Sequence, residues 1–101
     1  MKKMSVFSNG FEQRGLFKRV RMLWRDVNNV YGQSMDKITY SELFLKICDK
    51  SNKVVVVGEF DKNFAAFESA LRGNIVGFPD DWRATLESSA SGDFQELWRR
   101  Q

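Results

Sequence analysis

The stretch Phe11-Glu12-Gln13-Arg14-Gly15-Leu16-Phe17-Lys18-Arg19-Val20-Arg21-Met22-Leu23-Trp24-Arg25-Asp26-Val27-Asn28-Asn29-Val30-Tyr31 decides how this chain of 101 residues is read. Within it Leu16, Val20, Leu23, Trp24, Val27, Val30 and Tyr31 recur at spacings of three and four. That period predicts one long amphipathic helix over 11–31, with its apolar stripe turned to a core. At about 1.5 Å per residue such a helix runs about 30 Å, the width of a small domain. Gly32 is placed to stop it, since glycine accepts the left-handed conformation at a helix end.

The rest of the chain is read outward from that helix. Weak alternation over 3–8 predicts a short strand, closed by the Asn9-Gly10 turn signal. Thr39-Tyr40-Ser41-Glu42 fits a capping box, and Ile38 with Leu43 stands where a hydrophobic staple would join. These predict a second helix over 40–50, with Tyr40, Leu43, Phe44 and Ile47 inward. Val54-Val55-Val56-Val57 disfavours helix and predicts a strand buried on both faces, the centre of the sheet. Asp61 reads as the cap of a third helix carrying Phe64, Phe67 and Leu71, with Gly73 as its stop. Residues 74–78 suit a short strand or an extended connection. Pro79 opens a fourth helix carrying Trp82 and Leu86, with Asp80 and Asp81 near its positive end. Ser88-Ser89-Ala90-Ser91-Gly92 marks a break, and Asp93 with Glu96 would cap a last short helix holding Phe94, Leu97 and Trp98. The expected fold class is therefore α+β: one small domain over 1–101, helix-rich, in the order β-α-α-β-α-(β)-α-α. Its sheet has two or three short strands centred on residues 54–57.

Composition narrows the function classes. Hydrophobic residues at 43% and aromatics at 14% describe a chain that folds, not a disordered one. No apolar run approaches the roughly 18 residues a membrane-spanning helix requires. A single cysteine, Cys48, allows no internal disulfide, and the first residues lack a secretory apolar stretch, so a cytoplasmic location is expected. Histidine is absent, which removes the commonest general acid–base and the commonest transition-metal ligand. The net charge of +3 divides unevenly: residues 1–50 carry ten basic and five acidic side chains, and residues 51–101 carry six and eight.

Arg14, Lys18, Arg21 and Arg25 form a cationic stripe opposite the apolar face of the predicted first helix. The stripe is either a solvated face or a track for a polyanion, with no glutamate on it to relieve the repulsion. A membrane contact is not expected, because the Trp and Val face of that helix is needed for the core. Glu59 and Asp61, after the valine strand, invite a metal or acid–base proposal, which Asp80 and Asp81 would join if the fold brings them near. Their plainer reading is that they cap helices and answer helix dipoles. Cys48 reads as a packed thiol, with no histidine to deprotonate it. Phe94 and Trp98, followed by Arg99 and Arg100, either close the core or dock on a partner.

Tyr31-Gly32-Gln33-Ser34-Met35-Asp36 resembles the Tyr-Gly-x-x-Leu-Asp stretch between the first two helices of barstar-type ribonuclease inhibitors, with Tyr31, Gly32 and Asp36 identical. The resemblance implies a β-α-α-β-α opening, and no binding residue is carried over from it. The function expected is a non-enzymatic protein-binding or regulatory module, one that self-associates or contacts another protein. It needs no catalytic residue, cofactor or metal, and its candidate contact residues are Arg14, Lys18, Arg21, Arg25, Phe94 and Trp98. The alternatives are a nucleic-acid-binding module using the cationic stripe and a small metal-dependent enzyme using the carboxylates.

Overall fold

Alternation with a period of two, not a helical period, organises the first half of the chain. The computed structural model describes residues 2–36, 39–89 and 92–101. Strands β1 (Lys3–Val6), β2 (Gly10–Arg14) and β3 (Arg19–Leu23) form a three-stranded antiparallel sheet in that order. A 3-10 turn, Trp24–Asp26, carries the chain into β4 (Val27–Asp36), which pairs with β5 (Ser41–Asp49). β6 (Val54–Gly58) follows, then helix α1 (Phe64–Asn74), helix α2 (Trp82–Glu87) and β7 (Gln95–Arg99). The second sheet is antiparallel with four strands in the order β6-β5-β4-β7.

The helix-rich expectation is therefore overturned. Of the described residues 46% lie in strands and 21% in helices, and the order begins with six strands. The predicted helix over 11–31 is β2, β3, the 3-10 turn and the start of β4. Val20, Met22 and Trp24 alternate, and so do Val30 and Gly32; the three-residue turn between them shifts the phase and imitates helical spacing. Leu16, assigned to the buried stripe, lies at a hairpin apex instead. The predicted second helix is β5, where Leu43, Leu45 and Ile47 are buried and their neighbours less so. Thr39 and Glu42 cap no helix, and Ile38 of the staple lies outside the described residues. The six residues resembling the barstar stretch run inside β4, not between two helices.

The second half is closer to expectation. β6 exists, but as an edge strand; β5 and β4 are the central ones. α1 and α2 lie within the predicted third and fourth helices, with Phe64, Phe67, Leu71, Trp82 and Leu86 buried as expected, but α1 runs through Gly73 to Asn74, and α2 begins at Trp82, three residues after Pro79. Asn63, not Asp61, sits at the start of α1, while Asp61 accepts the Gly58 N–H in the preceding turn at 3.0 Å. The short strand or extended connection expected over 74–78 is not found: Asn74 ends α1, and the chain then turns, with the Phe78 N–H donating to the Ile75 carbonyl at 3.2 Å and Gly77 at φ 86°. The last predicted helix is β7, because its residues pair with β4; Ala90 and Ser91 of the predicted break lie outside the described residues.

The core lies between the sheets and the two helices. Phe11 and Met22 from the first sheet meet Val30, Leu45 and Ile47 from the second, and Phe64, Phe67, Trp82 and Leu86 from the helices. Phe11 stands 4.9 Å from Trp24 and 5.0 Å from Phe67, ring centre to ring centre, in tilted and edge-on contacts. α1 runs along β1, and the residue leading into it, Lys62, bridges to Lys3 of β1. The sheets are also tied directly: the Gln13 amide donates to the Val56 carbonyl at 2.6 Å, and the Lys53 ammonium donates to the Arg21 carbonyl at 2.9 Å.

Candidate functional site: a cationic hairpin with an apolar tip

Strand pairing places basic residues from four separate segments side by side. β2 and β3 are joined by Gly15-Leu16-Phe17-Lys18, closed by the Gly15 N–H donating to the Lys18 carbonyl at 2.8 Å. Leu16 and Phe17 hold the two central positions of this turn, neither of them at positive φ, so the backbone there accepts most residue types. They are 88% and 96% exposed, so no part of the fold requires an apolar side chain at either position.

Immediately behind the tip, Arg14 of β2 stands opposite Arg19 of β3 on one side and Lys3 of β1 on the other. Lys3 in turn bridges to Lys62. The register thus draws a row of four cations, Lys62-Lys3-Arg14-Arg19, across the outward face. Directly opposed side chains lie only about 4.5–5.5 Å apart at Cβ, and like charges there destabilise a sheet. Glu12, one row further back, is the acid on this face, and its carboxylate lies 2.7 Å from the Arg19 guanidinium. Arg21 stacks over the Phe7 ring at 4.2 Å. Arg14 and Lys18 have no side-chain partner among the described residues.

The predicted stripe is consequently divided. Arg14, Lys18 and Arg21 share one hairpin, though not as a helix face. Arg25 lies beyond the far end of β3, in the 3-10 turn, beside a cleft of about 290 Å³ that it shares with Asn9, Trp24, Asn74 and Arg100. Phe94 and Trp98 are elsewhere again. Phe94 is half-buried under the Lys46 ammonium at 4.9 Å, with Tyr31 on the same cation at 5.0 Å. Trp98 packs against the edge of the core and donates its indole N–H to the Val76 carbonyl at 2.9 Å. The reading of the sequence missed Lys3, Phe17, Arg19 and Lys62, and put Leu16 in the core. Gly15 was the available signal: a glycine in mid-pattern between two alternating runs marks a hairpin turn.

The carboxylates singled out for chemistry are occupied with structure. Glu59 accepts the Leu43 N–H at 3.0 Å and an Arg83 N–H at 2.8 Å. Arg83 also reaches Glu68 at 3.3 Å, and Glu68 accepts the Trp82 indole N–H at 2.8 Å. Burial opposes ionisation of Glu68, but the hydrogen bonds from Trp82 and Arg83 outweigh it and hold its carboxyl below the ordinary value. Asp80 is exposed and pairs with Arg72 at 3.5 Å. Among the described residues no group of three or more Asp, Glu or Cys side chains is gathered so as to hold a metal ion. Cys48 faces outward from β5; burial and the neighbouring Asp49 push its thiol upward, against the partial opposition of Lys46.

Comparison with known proteins returned no match among family models, curated proteins or solved structures.

Proposed function

We propose that this protein is a non-enzymatic binding module and that the β2–β3 hairpin is its contact element. The observation that carries the reading is the exposure of Leu16 and Phe17, at 88% and 96%, between the side chains of Arg14 and Lys18. The fold gains nothing from apolar side chains at these two exposed positions, and a sheet built for stability alone would not oppose Lys3, Arg14 and Arg19. Both features find a purpose in a partner that is acidic and takes an apolar tip. The non-enzymatic part rests on chemistry: the chain has no histidine, Glu59 and Glu68 are shared with Arg83, and the Cys48 thiol is shifted away from its nucleophilic form.

A nucleic-acid contact through the same face would depend on the cations and be indifferent to Leu16. The test is site-specific photo-crosslinking in cells, with a benzophenone side chain in place of Phe17 and, as control, in place of the exposed Thr85. A discrete adduct at Phe17 that is absent at Thr85 is expected. Its mass identifies the class of partner: another protein, a second copy of this chain, or a lipid. No adduct at Phe17, or equal labelling at both positions, overturns the reading.

A further inference from the structure

We infer that the surface bound by this hairpin is the anionic face of a phospholipid bilayer; the inference rests on the binding-module reading and names its partner. The apolar surface lies at a hairpin apex. Leu16 and Phe17 stand side by side there, 88% and 96% exposed. Apolar area held in water is unfavourable until something apolar covers it. The boundary between lipid headgroups and acyl chains covers a penetrating tip to a depth of about 5–10 Å and needs no shaped pocket to do so.

The cations are set where such insertion places the headgroups. Lys18 is in the turn itself, and the row of Arg14, Arg19, Lys3 and Lys62 begins one residue behind it, about 3.3 Å along the strands. With Arg21 these make six basic side chains around one acid, Glu12, and a cluster of that size beside an apolar anchor suits an anionic lipid surface. Arg14 and Lys18 are free to take phosphate or carboxylate oxygens. On the inner side of the tip a cleft of about 210 Å³ is lined by Lys2, Gln13, Lys18, Val20, Val54 and Val56. It brings two cations and three valines together, a mixture that suits a headgroup and the first carbons beneath it.

The two competing partners fit less well. Protein interfaces favour Trp, Tyr and Arg and are depleted in lysine, whereas this tip presents Leu16 and Phe17 with Lys3, Lys18 and Lys62 among its six cations. A nucleic acid could stack a base on Phe17 and pair with the cations, but that contact leaves the branched Leu16, 88% exposed, uncovered. Membrane contact was not expected of a helix whose apolar face served the core. The hairpin has no such conflict, because its two apolar residues are surplus to the core.

The test is flotation of the full chain with phosphatidylcholine vesicles, with and without phosphatidylserine, across a salt series. Binding is expected only with phosphatidylserine, weakening as salt rises. Leu16→Ser/Phe17→Ser and Arg14→Glu/Lys18→Glu are each expected to weaken it more than about tenfold while leaving the circular dichroism spectrum unchanged. Three results overturn the inference: no vesicle binding, binding that ignores phosphatidylserine or the Leu16/Phe17 pair, and tighter binding to RNA of mixed sequence than to vesicles. A protein adduct at Phe17 without vesicle binding overturns the bilayer and keeps the binding module. Neither adduct nor vesicle binding removes both.

Discussion

Gly32 sits opposite Leu45 in the middle of β4, on the face that α2 covers. A Cβ there would lie 2.6 Å from a methyl of Leu86 and 2.8 Å from a methyl of Leu97, so the missing side chain is what lets α2 and β7 close over the sheet. Leu86 is almost wholly buried and can yield only by disturbing its neighbours. Gly32→Ala is expected to destabilise the fold by about 1–3 kcal/mol. A thermal melt checks this, since each kcal/mol moves the midpoint of a domain this size by about 4–8 °C. The same glycine read as a helix stop in the sequence, because conformational freedom and absence of bulk are both properties of glycine and the letter does not say which is used.

At the scale of elements, the β2–β3 hairpin shows a conflict between stability and binding. Arg14 has Lys3 on one side and Arg19 on the other, and among the described residues no acidic side chain pairs with it. Arg14→Glu converts two like-charged cross-strand neighbours into two opposite-charged pairs. It is therefore expected to raise stability by about 0.5–1 kcal/mol in urea unfolding at low salt, and to lose part of that gain as salt screens the pairs. A loss of stability would show that the row is not repulsive and would weaken the case that it awaits an anion. The elements themselves were unevenly legible. β6 stands out because a β-branched run acts locally, and α1 and α2 because Phe64, Phe67 and Leu71, and then Trp82 and Leu86, recur at spacings of three and four. β5 was hidden because Leu43, Phe44 and Ile47 also suit a helix; only pairing with β4 and β6 decides that Phe44 faces away from Leu43 and Leu45.

At the scale of the whole molecule, Arg83 of α2 ties Glu59, just after β6, to Glu68 of α1, while the Trp82 indole holds Glu68 in place. This clasp joins both helices to the edge of the four-stranded sheet. The folded Glu68 carboxyl titrates below its ordinary value of 4.5, so its contribution is fully present above that pH and is lost as the pH falls through the folded value. The melting midpoint is expected to drop on acidification below about 4.5, and Glu68→Gln, less stable at neutral pH, is expected to show a shallower drop. An unchanged acid dependence in Glu68→Gln would remove Glu68 from the clasp.

By itself the sequence determined the local properties: a foldable composition, a basic first half, no histidine, a valine strand and two helices with their buried residues. These depend on side chains within a few positions of one another, so order along the chain suffices to read them. The tertiary structure alone decided that 11–31 is a hairpin and a turn, that Leu16 and Phe17 face water, and that Lys62, Lys3, Arg14 and Arg19 stand in one row. Cross-strand neighbours come from distant parts of the chain, and a register shift of a single residue turns every side chain to the other face. The cationic site is a product of register.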